Sequence, residues 1–225
     1  VAKQPTRTAV PAGRKRVAVV AAASAVAALA FGGAASAITS RGAVAGSAAK
    51  VSASDPLPAP VAYGSTTALP PWPAPADATA GARAAGLEVS EMEGTAIHFH
   101  THLDVIVDGE SVPVPANLGI DPETRMMSEL HTHDARGVLH IEGPAERRYI
   151  LGQLFNEWGV RLNSQGIGGL KVGRGKTLTA YVDGERVSGD PASIELTAHR
   201  EIALVYGDPD EQVDVPSSYD FAPGE

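Results

Sequence analysis

Residues 98–142 open with His98-Phe99-His100-Thr101-His102-Leu103-Asp104, run on to His131-Thr132-His133-Asp134, and close with Val138-Leu139-His140-Ile141-Glu142. Six of the seven histidines fall in this stretch, and only His199 lies elsewhere. A strand sends alternate side chains to one face, about 6.6–7 Å apart for every two residues. The spacing of His98, His100 and His102, and of His131 and His133, therefore predicts strands that present imidazoles in rows. Asp134-Ala135-Arg136-Gly137 is a polar, Gly-ended tetrapeptide between apolar runs and reads as a turn. An even loop centred on Ala135-Arg136 pairs His133 with Val138, Thr132 with Leu139 and His131 with His140. It also brings Glu129 opposite Glu142 on the same face. A three-residue loop would invert the pattern and throw His140 to the other side. Convergence of all six histidines depends on an even loop.

Working outward, Leu103–Val107 and Val112–Val114 flank Asp108-Gly109, a two-residue hairpin signal. Pro113 and Pro115 place the second strand at an edge. Gly143-Pro144 breaks the strand that carries His140. Leu151, Leu154, Phe155 and Trp158 then recur at helical spacing up to Gly159, a C′ glycine. Gly166-Ile167-Gly168-Gly169 lacks the Lys-Ser/Thr pair of a phosphate loop. Leu178–Val182 and Glu201–Tyr206 read as further strands. The pattern is that of an α+β domain: a small, mostly antiparallel sheet of hairpins with one packed helix.

The flanks are not globular in composition. The 225-residue chain carries 18 Lys/Arg against 26 Asp/Glu, a net charge of −8. Residues 1–50 hold seven Lys/Arg and no acid, so residues 51–225, with 11 Lys/Arg against 26 Asp/Glu, carry −15. So acidic a body disfavours nucleic acid, whose phosphates need clustered cations, and attracts metal ions instead. The chain has no cysteine, which excludes disulfides and thiolate ligands. Residues 1–16 form a basic lead ending in Arg14-Lys15-Arg16, and residues 17–37 are uncharged. Two readings compete for 17–37: a membrane-spanning helix with the basic flank inside, or a signal peptide cleaved at Ala35-Ser36-Ala37. Both export residues 38–225, as part of a single-pass membrane protein or as a secreted one. Residues 38–86, rich in Pro, Ala and Ser, read as a disordered linker that holds the domain off the membrane. Trp72 is the bulky exception, read first as an isolated aromatic without a role and second as a residue that docks on the domain. The domain proper is expected over 87–207, followed by an acidic tail, 208–225, extended over the surface or disordered.

Val107-Asp108-Gly109-Glu110 recurs as Val182-Asp183-Gly184-Glu185 at an offset of 75. At that offset His98, His100 and His102 correspond to Gly173, Gly175 and Thr177, so this hairpin has no intrinsic need of histidines. Their purpose is then chemical. Neutral imidazole is the commonest protein ligand for zinc, copper, nickel and iron. Two from one strand and a third from its neighbour complete a site, as in catalytic zinc centres built on His-x-His strands. His98, His100, His102, His131, His133 and His140 are the candidate metal ligands. Asp104, Glu129, Asp134 and Glu142 are candidates to orient them or to join them. His199 stands alone and reads as a hydrogen-bonded surface residue.

The motifs HFHTHLDVIVDG, SELHTHDARGVLHIEGP, LGQLFNEWGV and VPSSYDFAPG resemble an uncharacterised family of exported, membrane-anchored bacterial proteins, over about residues 90–225. The resemblance implies the anchored topology and brings no activity with it. Gly94, His98, His100 and Asp104 imitate part of a cupin motif, but the glycine spacing and the missing second motif argue against that family.

The expected function is binding of a transition metal ion, zinc or copper first, by a histidine-bearing sheet outside the membrane. A metal-dependent enzyme, a zinc hydrolase or copper oxidase with Glu142 or Asp134 as base, is the first alternative. A metal-free module whose histidines sense pH is the second.

Overall fold

The computed structural model describes residues 57–60 and 63–225. The basic lead, the membrane or signal segment expected at 17–37 and the linker over 38–56 and 61–62 lie outside the described residues. Among the described residues no helix is long and apolar enough to cross a membrane.

The described chain is α+β, with short strands in the majority and few helices. Its main sheet contains β1 (Ile97–Val107), β2 (Glu110–Val112), β3 (Leu130–His131), β4 (Val138–Gly143), β5 (Thr177–Val182), β6 (Glu185–Val187) and β7 (Glu201–Gly207). The order is β6-β5-β7-β1-β4-β3, with β2 beside β1. Every pairing is antiparallel except β7 with β1. The long central β1 meets β4 along residues 97–102 and β2 along 105–107 on one side, and β7 along 102–107 on the other. His-x-His-x-His and the apolar Leu103–Val107 are thus two halves of one strand.

Both Asp-Gly signals form the expected two-residue loops: Val107 pairs with Glu110 and Val182 with Glu185. Asp108 and Gly109, with φ of 50° and 79°, and Asp183 and Gly184, with 52° and 79°, adopt the positive φ values that a tight hairpin needs. The hairpins share this turn and differ in length: β1 has 11 residues, β5 only six. Gly173 and Gly175, at the positions equivalent to His98 and His100, lie before β5 in a positive-φ turn. The histidines occupy the extension that the second hairpin lacks. As expected, β2 is an edge strand, paired only with β1.

The two faces of the sheet divide cleanly. Leu103, Val105, Leu139, Ile141, Leu130, Ile202 and Leu204 are buried in one apolar cluster. His98, His100, His102 and Asp104 alternate with the β1 members of that set and face the other way. Helix α2 (Leu151–Trp158) lends Leu151, Leu154, Phe155 and Trp158 to the same cluster. The Gln153 side chain accepts a hydrogen bond from the Ile150 N–H at 3.0 Å, satisfying one free donor at the N-terminal end. Gly159 closes the helix with φ 69°.

The packed region starts before Leu87. Trp72 is only 3 % exposed, its ring 5.8 Å edge-on from Trp158. Its Nε1 donates to the Ala68 carbonyl, and Trp158 Nε1 donates to the Trp72 carbonyl. A short helix, α1 (Ala80–Ala84), rests Gly81 on the backbone of α2 at Asn156, a contact with no room for a Cβ. The later part of the expected linker therefore belongs to the domain, because Trp72 gives an otherwise small-residue segment enough apolar surface to dock. The acidic tail is likewise in place: Tyr219 stacks on His102 and Phe221 on His199.

Candidate metal centre

The register of three strands builds the site. His131 on β3 is the cross-strand partner of His140 on β4, and His140 is the partner of His100 on β1. Neighbouring strands lie about 4.7–4.9 Å apart, so three imidazoles line up across the sheet at one level. One pair further along, His98 is opposite Glu142. The even register is the observed one, but the ladder stops at His131 and His140 rather than continuing through Thr132 and His133. Thr132 is held elsewhere: its N–H donates to the Leu118 carbonyl, its carbonyl accepts from Asn117, and its hydroxyl bonds to Pro115. His133 is therefore exposed, beyond the last paired rung.

Five histidines converge. His131 Nε2 lies 3.3 Å from His133 Nε2, and His98 Nε2 lies 3.3 Å from His100 Nε2. His100 Nε2 is 2.9 Å from His140 Nδ1. Two groups could each hold a metal ion, their ligand atoms all within 4.8 Å of one another: His131, His133 and His140; and His98, His100 and Glu142. In the second group Glu142 Oε1 is 3.4 Å from His98 Nε2, and it is also 3.6 Å from His140 Nδ1.

The electrostatics suit a cation. His131 is wholly buried, and its Nδ1 donates to the Ser128 carbonyl at 2.9 Å, which leaves Nε2 as an acceptor turned toward His133 Nε2. Burial pushes the His131 imidazole down to about 3. Burial and then the neighbouring His100 take His140 down to about 4. His100 is lowered as well, by burial first and by His98 next. These rings are neutral at neutral pH, the form that binds metal. Glu142 is buried, and its Oε2 has no hydrogen-bond partner. Burial first, and the Glu93 carboxylate second, raise its pKa. Glu142 also lines a cavity of about 120 Å³ with Glu88, Glu93 and Met127.

His102 stands apart. Its Nδ1 is 2.8 Å from Glu201 Oε2 and 3.7 Å from Asp104 Oδ2, a third group of metal-ligating type. Its Nε2 is 2.7 Å from the Arg136 carbonyl, and the Tyr219 ring covers it at 3.8 Å. With an oxygen acceptor at each nitrogen, the ring is placed to donate twice as an imidazolium. Burial alone would lower its pKa, but the hydrogen bond and charge of Glu201 outweigh that and leave it raised. Gly137, at φ 87°, passes over this ring so closely that a Cβ would strike the Leu103 carbonyl.

Comparison of the chain with protein-family models, with curated proteins and with solved structures gave no match. The site is therefore read from its geometry. Of the carboxylates singled out in the sequence, only Glu142 joins the five histidines. Glu129 accepts from the Tyr149 hydroxyl at 2.7 Å and the Glu88 N–H at 2.8 Å, and it pairs with Arg147. Asp134 is taken up by its own turn, accepting from the Arg136 N–H and Nε. Glu201 was not legible as a partner of His102, since it comes 99 residues later and meets it only through the parallel pairing of β7 with β1.

Proposed function

We propose that this chain is a transition-metal-binding protein whose histidine-bearing sheet works outside the cell membrane, tethered or released through the segment at 17–37. The observation that carries the reading is the convergence of His98, His100, His131, His133, His140 and Glu142 in two groups of mutually close donors. Hydrogen bonds link His98, His100 and His140, and His131 with His133, but they leave Glu142 Oε2 without a donor. Neutral imidazoles offer one donor each. A bound cation would offset that buried carboxylate. Zinc and copper match an all-nitrogen and carboxylate donor set without thiolate. The acidic body would draw cations toward it.

We favour binding over catalysis: the donor sets lie on one face of the sheet, with His98 and His133 exposed and His100 and His131 buried. Cavities of about 260 and 460 Å³ occur beside Leu178–Ala180 and beside Arg161 and Lys171, and no histidine lines either.

The test is a thermal melt of the full chain after chelation, with Zn(II), Cu(II) or Ni(II) then added singly. A ligand that binds only the folded state stabilises it by about 2.7 kcal/mol at a hundred times Kd. A rise in Tm of several degrees with at least one ion, absent with Mg(II), is the expected result. Identical melts with and without every ion would overturn the reading. Export is tested separately by protease accessibility of the domain in intact cells.

A further inference from the structure

Apart from the group at His102, whose two ring nitrogens both face oxygen acceptors, the metal-ligating side chains fall into two sets with no member in common: His131, His133 and His140, and His98, His100 and Glu142. Each set holds a pair of Nε2 atoms 3.3 Å apart, His131 with His133 and His98 with His100. Two nitrogens bound at 2.0–2.1 Å to one tetrahedral ion stand roughly 3.3–3.4 Å apart, so each pair already spans one edge of a coordination tetrahedron. Six donors are more than a four-coordinate ion accepts. The sets abut where His100 Nε2 lies 2.9 Å from His140 Nδ1, so ions held by both would be near neighbours.

Resting on the metal-binding reading above, we propose that the histidine face is a two-metal site, one ion on His131, His133 and His140 and the other on His98, His100 and Glu142. The two positions differ in character. The first set is neutral and wholly imidazole. The second includes a carboxylate, Glu142, buried beside the Glu93 carboxyl, and a cation there would relieve the crowding of like charge. The combination of two histidines and a carboxylate suits harder divalent ions better than the all-imidazole set does, so the positions are expected to differ in metal preference. Each set also has an exposed member, His133 in one and His98 in the other. Each ion can therefore enter from solvent, and each site can be disabled without touching the core.

The experiment uses the full chain without an affinity tag, loaded with excess Zn(II), freed of unbound metal and assayed for zinc per chain. His133→Ala and His98→Ala are treated in parallel, with far-UV circular dichroism to verify the fold. The expected result is two zinc ions in the wild type, one in each single variant and none in the double variant. Loading with Cu(II) should give a spin-coupled electron paramagnetic resonance spectrum in the wild type and an isolated-ion spectrum in each single variant. One zinc in the wild type, lost in both single variants, would overturn the two-ion inference and leave metal binding standing. No zinc in the wild type would overturn both.

Discussion

His131 shows how one side chain can be committed to a task by its surroundings. It is wholly buried, its Nδ1 is fixed on the Ser128 carbonyl, and burial holds its pKa near 3. Unfolded, the same imidazole titrates near 6.5. Below that value the unfolded chain binds a proton that the folded chain refuses. The contribution of His131 is therefore complete above about pH 6.5 and is lost as pH falls toward 3, at up to about 1.4 kcal/mol per pH unit. His140, held near 4, acts in the same sense. His102 acts in the opposite sense: its raised pKa favours the fold at low pH and loses that advantage as pH rises through the folded value. Metal-free protein should accordingly lose stability between pH 6.5 and 4, and His131→Gln should flatten that slope in chemical denaturation series. An unchanged slope would remove His131 as its source. At this scale the sequence was informative about the histidines and Glu142 but silent on Glu201 and Tyr219, because both reach His102 through long-range packing.

Among the elements, β1 and α2 carry the clearest lessons. The two-residue spacing of the histidines announced a strand, and the Asp-Gly turn fixed where it ends. The ladder between β3 and β4 kept the expected register yet ended early, since Thr132 found its partners at Pro115, Asn117 and Leu118. No local pattern signals that competition. Helix α2 showed its apolar stripe plainly, but every one of its eight residues is buried, Glu157 among them. Neither carboxyl oxygen of Glu157 has a hydrogen-bond partner, and burial raises its pKa well above the ordinary carboxylate value. The raised pKa favours the protonated form in the fold, so Glu157 costs stability as pH rises above the unfolded carboxyl pKa of about 4.3. Glu157→Gln keeps the shape and removes the titratable proton, and should stabilise the fold more at pH 8 than at pH 4.5. Equal effects at the two pH values in paired denaturation curves would contradict this.

Across the whole molecule, the sheet separates two tasks between its faces: one closes the apolar core, the other displays imidazoles. The α+β class and the hairpins were legible because period-two patterning and turn chemistry are local. The start of the packed region was not. A single Trp72, buried against Trp158, pulls a Pro-rich segment onto the domain, and composition averages conceal one docking residue. The tail was equally opaque: Arg136 pairs with Glu225 at 2.6 Å, and His199 Nε2 lies 3.0 Å from the Glu225 carbonyl, contacts that no short motif encodes. The central claim is that the sheet gathers its histidines to hold metal. Elemental analysis of the full chain, purified untagged beside a His100→Gln/His131→Gln variant with the same circular dichroism spectrum, tests this most directly. Stoichiometric zinc or copper in the wild type and its loss in the variant is the predicted result. Equal metal in both proteins, or none in the wild type at micromolar free ion, would contradict the account.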